Sequence, residues 1–271
     1  MNLIAEIGIN HNGDIEICKK LIYLAKLAGF NYVKIQKRNP DICVPLLQKD
    51  KLKSTPWGEM KYIDYKKKIE FNEEQIIQLI EYSKSMDIIF FASVWDKDSV
   101  DIMSKHCDYG KIPSALITNL ELCEYARKKF TNLIISTGMS TEEEIEKSVG
   151  ICNPDIIMHT NSTYPSPENE LNLRYITWLK NKYKDKDIGY SGHESGIIPT
   201  LITIPLGVTW IERHVTLDKD MWGSDQKASL DPIEMFELCK NIKLVLSTLM
   251  YELGPRKEFH SENEKKKSLR G

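Results

Sequence analysis

Two histidines, His193 and His214, lie 21 positions apart (214 − 193), each closing a short apolar run: Asp187-Ile-Gly-Tyr-Ser-Gly-His193 and Val208-Thr-Trp-Ile-Glu-Arg-His214. If these runs are consecutive parallel strands, both imidazoles reach the same end of a sheet. There they make half of a site for a divalent transition ion. Other short apolar runs end on complementary chemistry: Glu6, Lys34 with Gln36, Ser93, Lys111 with Ser114, Ser136 with Thr137, Ser162 just after His159, Ser191, and Glu212. Lysines beside hydroxyls and backbone N–H groups form a phosphate cradle, because full charges and neutral donors together satisfy several oxygens. An ion on the histidines would polarise a carbonyl, and Glu6 or Glu212 could move a proton or order a water. The set points to carbon–carbon bond formation between a phosphorylated nucleophile and an aldehyde. Spacing alone leaves phosphoester hydrolysis equally open.

The elements that must position these groups alternate along the chain. Candidate strands are 3–9, 32–36, 88–93, 109–112, 133–137, 156–160, 188–191 and 209–214; candidate helices are 15–28, 73–86, 97–105, 120–129, 141–149, 173–183, 197–206 and 232–250. Thr141 followed by Glu144 has the spacing of a capping box. Eight strand-then-helix units predict a (β/α)8 TIM barrel, a single domain over residues 1–254. An open doubly wound sheet is the alternative, but no Gly-rich dinucleotide loop follows the first strand. The stretch from Lys37 to Asn72 is too long for an ordinary βα connection and reads as a loop over the active-site face. Residues 255–271 lack periodicity and read as a C-terminal tail. The Lys66-Lys-Lys68 and Lys265-Lys-Lys267 runs read as solvated surface. Trp57 and Trp222 fall in apparent loops on the active-site face, where either could stack on a sugar. His11 follows the first strand and could join the site, and His159 reads as a core hydrogen-bonder or a group behind the site.

Net charge is −2, so no polycationic surface suggests nucleic acid. No apolar stretch approaches the ~20 residues that span a bilayer. The N-terminus runs straight into a strand, leaving no room for a signal peptide, and the expected location is cytoplasmic. Six cysteines without CxxC spacing read as reduced thiols packed as small hydrophobes.

Several motifs, in order along nearly the whole chain, resemble the sialic acid (N-acetylneuraminate) synthase family: Ile4-Ala-Glu-Ile-Gly-Ile-Asn-His-Asn-Gly13, Val33-Lys-Ile-Gln36, Ser136-Thr-Gly-Met139, Thr163-Tyr-Pro-Ser-Pro167, Gly189-Tyr-Ser-Gly-His193 and Ile211-Glu-Arg-His-Val-Thr-Leu217. The resemblance implies a barrel that condenses phosphoenolpyruvate with the open-chain aldehyde of an acylamino sugar, commonly N-acetylmannosamine, and releases phosphate. It implies Mn2+ or Mg2+ on His193 and His214, and phosphoenolpyruvate held by Lys34, Lys111, Ser114, Ser136, Ser162 and Ser191. Glu6 matches a catalytic carboxylate, Gln36 and Tyr164 match sugar-side positions, and Asp225 matches the aspartate of a Gly-Pro-Asp-His signature. Homodimers are the implied assembly. Departures are Gly223-Ser-Asp-Gln226 in place of that signature, and Leu116 where many members carry glutamate. The Lys267-Ser-Leu-Arg270 run resembles the link to the family's usual C-terminal antifreeze-like domain. An unacylated sugar or a phosphosugar is the alternative acceptor; a phosphosugar requires an added basic cluster, for which Lys37-Arg38 or Arg213 are candidates. A metal-dependent hydrolase is the rival from another class.

Overall fold

The computed structural model describes residues 1–270. In chain order the elements are β1 (Asn2–Gly8), α1 (Ile15–Ala28), β2 (Tyr32–Lys37), α2 (Pro40–Cys43), α3 (Leu46–Lys49), β3 (Leu52–Thr55), β4 (Gly58–Lys61), α4 (Tyr62–Ile69) and α5 (Glu73–Ser85). There follow β5 (Ile89–Val94), α6 (Lys97–Ser104), β6 (Tyr109–Ile112), α7 (Leu120–Lys129), β7 (Asn132–Ser136), α8 (Glu142–Cys152), β8 (Ile156–His159), α9 (Tyr175–Lys182), β9 (Asp187–Gly192), α10 (Ile198–Ile202), β10 (Trp210–His214), α11 (Pro232–Thr248) and α12 (His260–Arg270). Eight strands close a barrel in the order β1-β10-β9-β8-β7-β6-β5-β2, all parallel, as strand–helix alternation requires.

Side-chain alternation along each strand explains both core and site. Outward residues such as Ala5, Val33, Ile35, Ala92, Leu133, Ile135, Ile157 and Ile211 pack under the helices in one large cluster. Inward residues begin apolar: Ile4, Tyr32, Phe91, Ile134, Ile156, Met158 and Trp210 fill the barrel floor. One pleat further on, the same inward rows turn polar, giving Glu6, Lys34, Ser93, Lys111, Ser136, Ser191 and Glu212. The barrel is therefore plugged below and reactive above.

Helix starts carry their caps. Asp14, Asn72, Thr141 and Asp231 each accept from backbone N–H groups of the first turn, the last three within capping boxes. The predicted Thr141–Glu144 pair is one of these.

The stretch after β2 is not a plain loop. It folds as two short helices, the antiparallel hairpin β3–β4 and helix α4. Tyr65 and Ile69 of α4 bury against Ile9, with Met60, Tyr62 and Trp222 packed on them, so the excursion leans on the loops after β1 and β10. At its neck, Lys37 Nζ donates to the Phe71 carbonyl at 2.8 Å. The tail also departs from expectation: residues 260–270 form helix α12, which buries none of its side chains.

His11 lies buried in the loop after β1, stacked on Phe71 with ring centroids 4.2 Å apart, and its Nδ1 accepts from the Gly13 N–H at 3.0 Å. It braces that loop rather than joining the site. Burial pushes its imidazole down to about 3 from an ordinary 6.5. Because the unfolded chain then binds the proton more readily, this contribution to stability is complete above pH 6.5 and is lost as pH falls toward 3. His11→Gln should flatten the pH dependence of unfolding free energy across that window in urea titrations. An unchanged slope would refute it.

Candidate active site

The inward polar residues enclose a pocket of about 200 Å³ at the C-terminal end of the strands. Its wall contains all the predicted site residues except Asp225: Glu6, Lys34, Gln36, Lys111, Ser114, Ser136, Ser162, Tyr164, Ser191, His193, Glu212 and His214. Register accounts for the convergence. Glu6 is paired with Lys34 on one side and with His214 on the other, while Glu212 is beside Ser191 and Ser93 beside Lys111. A register shift between Glu6 and Gly8 offsets the last pair of the β1–β2 ladder, Gly8 with Ile35, and Gly8 takes φ +55°. A side chain at Gly8 would crowd Glu6, Gln36 and His214. Gly138 is the tightest point: a Cβ would lie 2.2 Å from Ser162 Oγ and 2.9 Å from Ser114 Oγ, so bare backbone lets three connections meet.

The floor of the pocket is a buried charge network. Lys34 Nζ lies 2.6 Å from Glu6 Oε2 and 3.6 Å from Glu212 Oε1, and donates to Ser93 Oγ at 2.6 Å. Lys111 Nζ donates to Glu212 Oε1 at 2.8 Å, where the Ser191 hydroxyl also donates at 3.2 Å. The two carboxylates respond differently. Burial pushes Glu6 up to about 7, Lys34 offsetting this only in part and Glu212 adding to it. Burial works the same way on Glu212, but Lys111 and Lys34 together outweigh it and hold that carboxyl down at about 2. Environments that split two carboxylates in this way separate a proton carrier from a permanent anion.

His193 and His214 stand with ring centroids 5.2 Å apart, and Tyr164 lies against His193 at 4.0 Å. Burial pushes the two imidazoles down to about 3 and about 4, so both are neutral at physiological pH, as metal ligation requires. Nδ1 of His193 is engaged by the Asn161 carbonyl at 2.5 Å, which leaves Nε2 as the ring nitrogen free for a ligand. Nδ1 of His214 is buried without a hydrogen-bond partner, 3.8 Å from Asp225 Oδ2. Ser136 Oγ and Glu212 Oε2 are likewise buried and unpartnered on the pocket wall. Such atoms are uncommon inside proteins, and where several face one pocket a ligand would complete their bonding. Among the described residues no three His, Cys, Asp or Glu groups are placed to hold one metal ion together, so the two imidazoles are the pair that could take one.

Not every predicted group is where the sequence suggested. Asp225 is behind His214 rather than in the wall. Arg213 is unavailable to any substrate: wholly buried, it pairs with Glu194 at 3.0 Å and donates to the Gly196 carbonyl at 2.7 Å and Thr200 Oγ1 at 2.8 Å. Tyr190 OH donates to the same Glu194 carboxylate. This pair joins the residues directly after His193 and before His214, so it fixes their spacing. Removing one partner strands the other charge, and Arg213→Ala should lose about 3–5 kcal/mol of unfolding free energy in denaturant titrations. A loss below ~1 kcal/mol would show that the network contributes little. Lys37 is likewise engaged, by Phe71 and by Glu70 at 3.6 Å.

His159 is a core hydrogen-bonder, its Nε2 against the Leu171 carbonyl at 2.7 Å. Trp57 and Trp222 meet each other at 6.5 Å outside the pocket wall. Leu116, where many resembling chains carry glutamate, packs against the core. Sequence reasoning assigned no role to Trp95 and Met139 in the wall, because a single apolar residue just past a strand end carries no pattern. The six cysteines are free thiols, as expected. Among the described residues no helix is long and apolar enough to cross a membrane.

A parallel barrel with lysines, hydroxyls and two neutral imidazoles converging at its C-terminal face belongs to the class of TIM-barrel enzymes that handle phosphorylated substrates. Comparison with known proteins narrows this. The model of the NeuB family matches residues 21–252, and the chain belongs to that family. It is 36% identical over 254 residues to the N,N'-diacetyllegionaminic acid synthase of Campylobacter jejuni, covering 90% of this chain and 75% of that protein. It is 34% identical over 250 residues to human N-acetylneuraminate-9-phosphate synthase, covering 90% of this chain and 69% of that one. The crystal structure of N-acetylneuraminic acid synthetase from Leptospira borgpetersenii, in complex with citrate, superposes with a TM-score of 0.86 at 31% identity, covering 99% of this chain and 92% of that one. The chain is an enzyme of the sugar-acid synthase type, a transferase.

Proposed function

We propose that this enzyme condenses phosphoenolpyruvate with the open-chain aldehyde of N-acetylmannosamine or a related sugar, releasing phosphate and forming a 2-keto-3-deoxy sugar acid. The observation that carries this reading is the pairing of two buried ammonium groups, ringed by serine hydroxyls, with two neutral imidazoles in one pocket. Lys34 and Lys111, with Ser114, Ser136, Ser162 and Ser191, hold the phosphate and carboxylate of the donor. Gln36 and Tyr164, higher on the wall, face the sugar. His193 and His214 would hold Mn2+ or Mg2+, which when bound supplies polarisation of the aldehyde oxygen.

C3 of phosphoenolpyruvate forms the new bond to the aldehyde carbon, and positive character develops at C2. Water adds at C2, and the resulting tetrahedral carbon expels phosphate by C–O cleavage. Glu6, raised to about 7, is the group that exchanges a proton at working pH, whereas Glu212 stays ionised and holds both lysines in place. Asp225, at 3.8 Å, orients His214.

Incubating the chain with phosphoenolpyruvate, Mn2+ and a panel of sugars, with products read by mass, tests the proposal. Phosphate release should require donor, sugar and ion together, and should stop with a chelator. Release without sugar would establish hydrolysis instead.

A further inference from the structure

Gln36 carries an amide whose two ends differ in chemistry but hardly in shape, so its partners decide which end meets a substrate. It stands in the pocket wall beside Glu6, its Nε2 3.5 Å from Glu6 Oε1. Its Oε1 accepts from a terminal nitrogen of Arg38, which lies just past the end of β2 and outside the wall. A guanidinium has only donors, so it takes the oxygen end of an amide and never the nitrogen end. An ionised carboxylate has only acceptors, so Glu6 draws the nitrogen end. Both neighbours therefore require the same orientation.

Arg38 is itself buried and held on several sides. Its Nε lies 3.1 Å from Glu70 Oε1, and its backbone N–H donates to Glu70 Oε2 at 3.3 Å. Its guanidinium carbon sits 4.3 Å from the ring centroid of Trp95, another residue of the pocket wall. The N–H of the next residue, Asn39, donates to Asp96 Oδ2 at 2.6 Å, which anchors the chain there. One planar fork thus pairs with Glu70 through one nitrogen and reaches Gln36 through another. The single nitrogen of a lysine cannot do both.

We propose that Arg38 is a positioning residue that locks the Gln36 amide with its N–H groups toward the pocket, so that the acceptor is recognised there through one of its oxygens. This rests on the synthase reading above, in which Gln36 faces the sugar. Without the lock the amide flips, and its oxygen then meets the Glu6 carboxylate or the substrate oxygen. Either encounter sets two acceptors against each other and leaves a polar group unpaired.

The test uses the full chain with Mn2+, phosphoenolpyruvate and the panel sugar that turns over. Arg38→Lys keeps a positive charge for Glu70 but withdraws the second nitrogen. We expect it to raise KM for the sugar by at least about 10-fold, with KM for phosphoenolpyruvate within about 3-fold of the parent. Gln36→Met should cost a similar factor. Combining the two should add no more than about 3-fold to the loss from Gln36→Met alone, because Arg38 acts through that amide. A parent-like Arg38→Lys, equal rises in both Michaelis constants, or losses that multiply in the double variant overturn the proposal. Melting curves confirm that each variant is folded at the assay temperature. If no sugar turns over, the synthase reading fails, and the lock is decided separately. The Gln36 side-chain amide signals are then followed in a proton–nitrogen correlation spectrum of isotope-labelled protein, identified by their loss in Gln36→Met. Displacement of that pair in Arg38→Lys, with the other side-chain amides in place, sustains the lock, and an unmoved pair overturns it.

Discussion

His214→Ala lowers turnover by at least about 1000-fold and leaves the barrel folded, if the two imidazoles carry the ion. The argument is one of number. Among the described residues the site has two neutral imidazoles and no third converging ligand, so losing either ring halves the protein's share of the coordination. His214 is also the ring that Asp225 faces and that register places next to Glu6, so its loss disturbs the aldehyde end of the site alone. The apolar inward layer two pleats below position 214, to which Trp210 belongs, is independent of that ring, which is why circular dichroism and melting temperature should hold. Mn2+ binding, followed by loss of its free paramagnetic signal, should weaken in parallel with activity. Substantial activity in metal-saturated variant protein would remove His214 from the ion's coordination.

Lys111→Ala raises KM for phosphoenolpyruvate by about 100-fold or more, while KM for the sugar changes little. Two effects add here. One of the two ammonium groups of the donor cradle disappears, and Glu212 loses its 2.8 Å partner. Without Lys111 the burial of Glu212 is opposed chiefly by Lys34, so its carboxyl rises from about 2 and repels or protonates where the donor's anions must settle. Initial-rate measurements with each substrate varied in turn separate the outcomes. Equal changes in both Michaelis constants would contradict the division of the pocket into a donor floor and an acceptor mouth.

Much of this was legible in the chain itself, for a local reason. A barrel strand writes its two faces in alternate residues, so Ile4 then Glu6, Tyr32 then Lys34, and Trp210 then Glu212 announce a floor and a site without reference to any other segment. The Thr141–Glu144 cap is equally local, and it formed as expected. What failed to show was what depends on distant partners. Lys66 looks like one of three surface lysines, yet α4 is pressed against Trp222 from the far end of the sequence, and only Lys67 and Lys68 remain outside. Arg213 looked available to a substrate because nothing nearby in sequence revealed that Glu194 would claim it. The excursion read as a loop because its hairpin and helix are short, and their stability comes from Ile9 and Trp222 rather than from propensity. The residues identified by motif converge for the same reason in reverse: each sits at a strand end, where topology alone assembles them.

The clasp between Lys37 Nζ and the Phe71 carbonyl draws the excursion's entry and exit together into a single stem. A segment whose chain enters and leaves its host at one stem can be exchanged without rethreading the barrel, as a cartridge is changed without rebuilding the machine. Residues 38–70 bring the hairpin and helix α4 as one piece, whereas Lys34 and Lys111 of the floor sit on the strands. The excursion and the strand-borne floor can then change independently of one another.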